Sequence, residues 1–227
     1  MSAERFPDFF ASVPPLALRD PLAEFLGAVP AGEPLVYTFA DAVRAAGHVC
    51  PTVAGGWVVT AAALAALYPG ETPVRGEIAV RCMGAPEQFG YGPMAQVIGF
   101  LTGAATETGF RGLGGKFRRA ELLTFHPESP ALATFEFRRV DSGAAVRVAY
   151  DAGRVPPAPG LREAMEGAMH GDTEAGAAFR QQWLERVERL LARAGDVVDV
   201  VPLAGRGAGD AGSTAGIPVQ QAARTDS

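Results

Sequence analysis

The segment from Thr52 to Leu67 constrains the fold more than any other part of the chain, because it is apolar on nearly every side. Trp57, Val59 and Leu64 recur without a matching polar face, and a helix that is apolar all round usually lies in a protein core. The segment is also too short and too rich in Gly and Ala for a membrane-spanning helix. The sequence therefore predicts a buried core helix.

Alternating and helical hydrophobic patterns follow this helix in an order typical of an α+β protein. We expect a mixed or antiparallel sheet with helices packed on it, plus C-terminal helices. The Asp141-Ser142-Gly143 run predicts a hairpin turn. The predicted strands are Val74–Met83, Glu121–His126, Ala131–Arg139, Ala144–Tyr150 and Val197–Val201, and the predicted helices are Pro93–Leu101, Leu161–Met169 and Glu174–Ala194.

Composition shifts divide the chain into four parts. Residues 1–33 form a Pro-rich extension with one short helix at Pro21, for which Asp20 is the expected N-cap. Residues 34–155 form the α+β domain, and residues 156–203 form a helical appendage packed on it. Residues 204–227 lack an apolar period, which predicts a disordered tail.

The charge of the chain limits the kinds of partner that it can bind. A formal net charge of −5 argues against nucleic acid, which normally requires a basic surface. The Arg118-Arg119 and Arg138-Arg139 pairs fit exposed strand ends as well as a ligand site.

The first residues lack a secretory signal, so we expect a cytoplasmic protein that does not enter a membrane. Its two cysteines should then be thiols, metal ligands or catalytic groups.

The run Gly47-His48-Val49-Cys50-Pro51 carries the sharpest chemical signal. Imidazole and thiolate are the ligands that Zn²⁺ prefers, and Pro51 fits the first turn of the core helix. Cys50 then lies at a helix N-terminus, where the backbone favours a thiolate. We expect His48 and Cys50 to bind a divalent metal, with zinc favoured.

Two ligands are too few for a closed structural zinc site, which takes four. A third ligand could come from Cys82, from His126, or from Glu87 in the loop between residues 83 and 93, where Tyr91 is also placed to line a pocket. Alternatively, Cys50 is a nucleophile with His48 as its base, since side chains two apart on an extended segment share one side.

Two further features have less specific interpretations. The Gly-rich loop before Lys116 does not match a Walker phosphate loop, because Phe110 and Phe117 occupy positions where the motif needs Gly and Ser or Thr. Lys116 could still bind an anionic substrate. The stripe of Phe179, Trp183 and Val187 on the last helix is either core or the face of a homodimer.

Several motifs in order resemble the E-subunit family of formylmethanofuran dehydrogenase. They are Gly47–Pro51 before a small-residue helix, Arg75-Gly76-Glu77-Ile78, Ala95 to Gly103 with its Leu-Thr-Gly end, and Gly112–Lys116 before Leu122-Leu123-Thr124-Phe125. The resemblance covers a little under half of the chain. It implies an α+β domain, a divalent metal bound by His48 and Cys50, and descent from a component of molybdenum or tungsten enzymes.

The leading hypothesis is a metal-binding protein whose His48–Cys50 site binds or converts a small polar ligand. The alternative is a non-catalytic accessory or metal- and cofactor-handling partner of a molybdenum-type oxidoreductase. A third class, a thiol-redox protein, would use Cys50 without a metal. The sequence assigns no catalytic residue and no substrate.

Overall fold

A computed structural model describes residues 6–88, 90–128 and 130–204 of the 227-residue chain. The predicted disordered tail, apart from residue 204, lies outside the described residues. The helices are α1 Pro21–Phe25, α2 Phe39–Ala46, α3 Pro51–Leu67, α4 Tyr91–Thr102, α5 Leu161–Met169, α6 Thr173–Ala192 and α7 Ala194–Val197. The strands are β1 Leu16–Leu18, β2 Leu35–Tyr37, β3 Ile78–Cys82, β4 Leu123–Phe125, β5 Ala133–Arg139, β6 Ala145–Tyr150 and β7 Val198–Leu203.

The main sheet has the strand order β4-β3-β5-β6-β7. The β3–β4 pair is parallel, whereas the remaining pairs are antiparallel, so the predicted mixed α+β architecture is confirmed. A hairpin joins β5 to β6, and Gly143 takes the positive φ of 73° that its turn requires. The small β1–β2 sheet is antiparallel and lies outside this main sheet.

The period-2 pattern of the strands separates an apolar face from a charged one. Val80, Phe137 and Val146 are paired neighbours across β3, β5 and β6, and all are buried. The next row on the opposite face contains Arg81 and Glu136, whose side chains form an ion pair at 3.1 Å. The apolar face therefore carries the core, and the helices cover it.

Helix α3 is the central core element, as its all-round apolar pattern predicts. Every residue from Val53 to Thr60 is buried. A Cβ atom on Gly55 would lie 2.5 Å from the Tyr150 ring, and one on Gly56 would lie 2.8 Å from the Val97 Cβ. The two glycines therefore allow α3 to pack closely against both the sheet and α4.

The boundaries differ from the sequence-based predictions where long-range contacts decide them. Helix α4 begins at Tyr91 after an N-cap at Gly90, so Tyr91 belongs to a helix and not to the preceding loop. Strand β3 begins only at Ile78, because Val74 instead bridges to Arg19. The N-terminal segment contributes strand β1, whose Leu18 is fully buried in the common core.

In the described part of the chain, every helix falls short of the length or the apolar character needed to cross a membrane.

Candidate functional site

Cys50 is the N-cap of helix α3. Its backbone is extended, with φ −157° and ψ 168°, and its Sγ accepts a hydrogen bond from the Val53 N–H at 3.4 Å. Pro51 at the first helical position has no N–H to satisfy, and its ring fixes the φ angle that starts the helix. The sulfur thus lies where free backbone N–H groups and the helix dipole favour negative charge.

His48 places one ring nitrogen beside this sulfur. Its Nδ1 lies 3.0 Å from the Ala46 carbonyl oxygen, and its Nε2 lies 3.3 Å from Cys50 Sγ. A carbonyl can only accept, so in the neutral ring Nδ1 carries the proton and Nε2 directs its lone pair towards the sulfur. A carbonyl that fixes the tautomer in this way is typical of metal-binding histidines.

The local turn explains how the two side chains meet. Gly47 ends helix α2 in the left-handed conformation, with φ 75°, and reverses the chain direction. The short segment that follows brings His48 Nε2 next to Cys50 Sγ, a contact that the two-residue spacing led us to expect. His48 is exposed, whereas Cys50 is only 9% exposed. The pair therefore lies at the boundary between solvent and the core.

Two aromatic side chains hold the peptide groups on either side of Cys50. The Trp183 Nε1–H donates to the Val49 carbonyl at 2.8 Å, and the Tyr150 hydroxyl donates to the Pro51 carbonyl at 2.8 Å. Trp183 comes from helix α6 and Tyr150 from strand β6. The C-terminal half of the chain therefore fixes the backbone that carries the sulfur.

A cleft with a volume of about 510 Å³ opens beside Cys50. Much of its wall is apolar and comes from Met94, Leu132, Tyr150 and Trp183. Asp151 and Arg186 also line it; the Arg186 guanidinium is engaged by the carbonyls of Ala152 and Val155. A volume in this range suits a small molecule.

The pair fits a zinc ion but does not complete its shell. Zn–S and Zn–N bonds of about 2.3 and 2.0 Å at a tetrahedral angle give an S···N separation of about 3.5 Å. The observed 3.3 Å is close to that value. Within residues 6–88, 90–128 and 130–204, no group of three or more His, Cys, Asp or Glu side chains could hold a metal. Further ligands would have to be water, substrate or another molecule.

Comparison with known proteins adds a likeness in fold. No family model matches the sequence, and no curated protein matches it. Among solved structures, the chain is similar to a protein from Syntrophus aciditrophicus that is described as like the E component (FmdE) of a tungsten formylmethanofuran dehydrogenase. The aligned regions are 14% identical and cover 74% of this chain and 72% of that one, with a TM-score of 0.42.

That match is to the family named from the sequence.

Cys82 and Tyr91 are both buried. Cys82 faces the core from β3, and burial raises the pKa of its thiol to about 12. The Tyr91 hydroxyl accepts a hydrogen bond from the Thr134 N–H at 2.9 Å, which secures the beginning of β5. Burial also raises the pKa of Tyr91. Both side chains belong to the core, and neither is among the residues that line the Cys50 cleft.

The other residues singled out from the sequence lie at the surface or near it. Glu87 and Lys116 are exposed, with Lys116 at the end of a turn that pairs with Leu113. His126 is half-buried, and its Nε2 lies 3.0 Å from the Thr124 hydroxyl. Glu87, His126 and Lys116 are not among the described residues that line the Cys50 cleft.

Sequence reasoning missed the roles of Trp183 and Tyr150 at this site. Trp183 belongs to the apolar stripe assigned to core or dimer contacts, and its ring lies against the Phe179 ring at an interplanar angle of 40°. Its bond to Val49 spans 134 positions in the chain, so no local pattern could have indicated it. A Trp within a helical stripe indicates that its N–H needs an acceptor when it is buried, but not which group accepts.

Proposed function

We propose that His48 and Cys50 together bind one divalent cation, zinc in preference to others, and that the adjoining cleft receives a small polar ligand. The observation that carries the proposal is the His48 ring, whose Nδ1 bonds a carbonyl while Nε2 lies 3.3 Å from Cys50 Sγ. This short separation would allow the nitrogen lone pair and the sulfur to share one cation.

The protein's own residues prepare that point for a cation. The Val53 N–H donates to Cys50 Sγ, and the Ala46 carbonyl favours the tautomer that leaves a lone pair on His48 Nε2. Trp183 and Tyr150 prevent the backbone between them from moving. A bound zinc ion would supply Lewis acidity at the coordination positions that two protein ligands leave open.

Metal analysis of purified protein tests the proposal. Wild-type protein should retain about one equivalent of zinc after dialysis, and His48→Ala and Cys50→Ser should retain almost none. Cobalt substitution should give a thiolate-to-metal charge-transfer band that Cys50→Ser removes. Cys82→Ala, which removes the buried thiol on β3, is the matched control and should keep both signals. Equal, near-zero metal in wild type and Cys50→Ser would refute metal binding.

A second candidate function, thiol nucleophile, is favoured by the same 3.3 Å contact and by the absence of a third ligand within the described ranges. Here the Cys50 proton moves to His48 Nε2, and the thiolate sulfur adds to a carbonyl carbon of the ligand. The C=O π electrons move to the carbonyl oxygen, which takes the proton back from His48 Nε2. In a chelator, iodoacetamide should then alkylate Cys50 rapidly in wild type and slowly in His48→Ala. Metal-dependent protection of Cys50 from alkylation would favour the first proposal instead.

Two expectations about partners extend this proposal. We expect a homodimer and, as the alternative to direct catalysis, docking on a component of a redox enzyme. Light scattering of the purified chain checks the dimer. Co-purification from the native cell with part of an oxidoreductase would favour the accessory role over an independent one.

A further inference from the structure

A second cluster of charged groups lies away from Cys50 and is more deeply buried. Asp20, 3% exposed, accepts from Arg75 Nη1 at 2.8 Å and from Arg119 Nη2 at 2.6 Å. Among the described residues, Asp20 is the one carboxylate paired with either guanidinium. The triad Asp20–Arg75–Arg119 therefore combines two positive charges with one negative charge.

Arg119 has a donor that this arrangement does not use. Its Nη1 is buried and has no hydrogen-bond acceptor among the described residues, although the side chain is only 8% exposed. Buried donors are nearly always paired in proteins, and an exception indicates a missing partner. For a charged donor in a low-dielectric interior, an anion is the partner that gains most.

The backbone is shaped to admit this guanidinium. Gly76 and Gly103 both have positive φ angles, and a Cβ atom would lie 1.6 Å from Arg119 Nη1 on the first and 2.4 Å from it on the second. Any larger residue at either position would displace the side chain. Arg75 is fixed separately, because it also donates to the carbonyls of Phe100 and Leu101 at 2.8 and 3.2 Å.

Both guanidiniums form part of the wall of a cavity of about 640 Å³. Most of the other large side chains in that wall are apolar, and they comprise Leu22, Pro86, Phe100, Phe110, Leu123 and Phe125. A smaller cavity of about 410 Å³ meets the same two arginines from the other side; Glu77 lines it but forms no ion pair with Arg119 in the described structure.

We propose that the larger cavity binds a small organic acid, with its single carboxylate against Arg119 and Arg75 and its apolar body along the phenylalanine side chains. The carboxylate would neutralise the one surplus positive charge that the triad leaves beside this cavity. A monoanion matches this charge, whereas a phosphate dianion exceeds it. The apolar wall selects for a hydrocarbon or aromatic body of the size that 640 Å³ accommodates.

Calorimetric titration with hexanoate, hexan-1-ol and inorganic phosphate at constant ionic strength tests the proposal. Hexanoate should bind with about one equivalent, hexan-1-ol at least about tenfold more weakly because it lacks the charge-assisted bonds, and phosphate more weakly than hexanoate. Arg119→Gln should weaken hexanoate binding about tenfold or more. Arg118→Gln, which removes the neighbouring exposed arginine, is the matched control and should bind as wild type does.

A second variant tests the proposal independently, in case Arg119→Gln does not fold. Gln96 is exposed on α4 and lines the same cavity, so Gln96→Trp should fill part of the space without touching the triad. It should reduce hexanoate binding while the thermal midpoint of the free protein changes little. Unchanged hexanoate binding in Gln96→Trp, or phosphate binding as tight as hexanoate binding, would overturn the proposal.

The Cys50 cleft provides the last control. His48 and Cys50 do not line the larger cavity, so Cys50→Ser should lose metal and still bind hexanoate. The two proposals therefore fail separately.

Discussion

The His48–Cys50 pair and the Asp20–Arg75–Arg119 triad concentrate opposite chemistry in one small protein. The pair presents electron-pair donors on a loop that solvent reaches, and its members lie two residues apart. The triad presents N–H donors and surplus positive charge in the interior, and its members lie 55 and 99 positions from Asp20. The first suits a cation and the second an anion.

The two regions also differ in what they contribute to stability. The pair could be removed without exposing a buried charge, because His48 is exposed and Cys50 only caps one helix. The triad joins three parts of the chain, since Asp20 also caps α1 through the N–H groups of Leu22 and Ala23. Ligand binding and folding are therefore separable at the pair and coupled at the triad.

Removal of Asp20 should have the largest effect. Asp20→Ala leaves the buried Arg119 and the half-buried Arg75 guanidiniums without a carboxylate and removes the α1 cap, which should cost about 3–5 kcal/mol in the free energy of unfolding. Urea denaturation measures this loss. Asp41→Ala, which removes an exposed capping carboxylate from α2, should cost only about 1 kcal/mol. Equal losses would mean that the triad adds nothing beyond a helix cap.

The same carboxylate predicts a dependence on pH. Burial alone would raise the pKa of Asp20, but hydrogen bonds from Arg75 and Ala23 and the charges of both arginines outweigh it and lower the pKa below 3.8. A pKa that is lower in the folded state contributes stability above about 3.8, which is lost as the pH falls through the folded-state value. The stability difference between wild type and Asp20→Asn should therefore shrink only under strongly acidic conditions. A difference already lost at neutral pH would contradict this.

The next largest effect should come from Gly76→Ala. The new methyl group would collide with Arg119 Nη1 at 1.6 Å and would also force a non-glycine residue to φ 84°. Gly114 offers a matched control, because it has φ 54° and nothing within 4 Å of a Cβ atom. Gly114→Ala should cost about 1 kcal/mol for the backbone alone, and Gly76→Ala about 3 kcal/mol. Thermal unfolding of the two variants separates backbone strain from displacement of Arg119.

Trp183→Phe tests how much the hydrogen bond to Val49 supports the His48–Cys50 pair. Loss of the Nε1–H bond to Val49 should cost about 1 kcal/mol in stability, since the ring is retained. Zinc affinity should fall about tenfold, because groups that orient metal ligands typically have that effect. Phe179→Leu alters the neighbouring ring without touching the bond and should leave zinc affinity unchanged. A fall of similar size in both variants would assign Trp183 to packing alone.

Local chemistry explains which elements could be predicted from the sequence. The Asp20-Pro21 pair, the Gly47 stop and the Asp141-Ser142-Gly143 turn each act over a few residues, and the structure contains the predicted helices and hairpin at those points. The His48–Cys50 contact belongs to the same class, because two-residue spacing on an extended segment brings the side chains together.

Features that depend on partners far away in the chain could not be predicted from the sequence pattern. Strands β1 and β2 have only three residues each, too few for an alternating pattern to be distinctive. In the sequence, Arg119 is notable only as one of two adjacent arginines. The neighbouring residues do not indicate that Arg119 is buried and Arg118 exposed. Its burial depends on Asp20, 99 positions earlier.

The smallest effect on stability should come from the pair itself. Cys50→Ser keeps a side-chain acceptor for the Val53 N–H and should change the free energy of unfolding by less than about 1 kcal/mol. In metal-free wild type, a thiol reagent should label one cysteine quickly, since burial holds the Cys82 pKa near 12 and excludes the reagent. Mass spectrometry of peptides should place the label on Cys50, and Cys82 should react only at the rate of unfolding. Rapid labelling of Cys82 in the folded protein would mean that β3 opens readily, and the structural distinction between the two thiols would be lost.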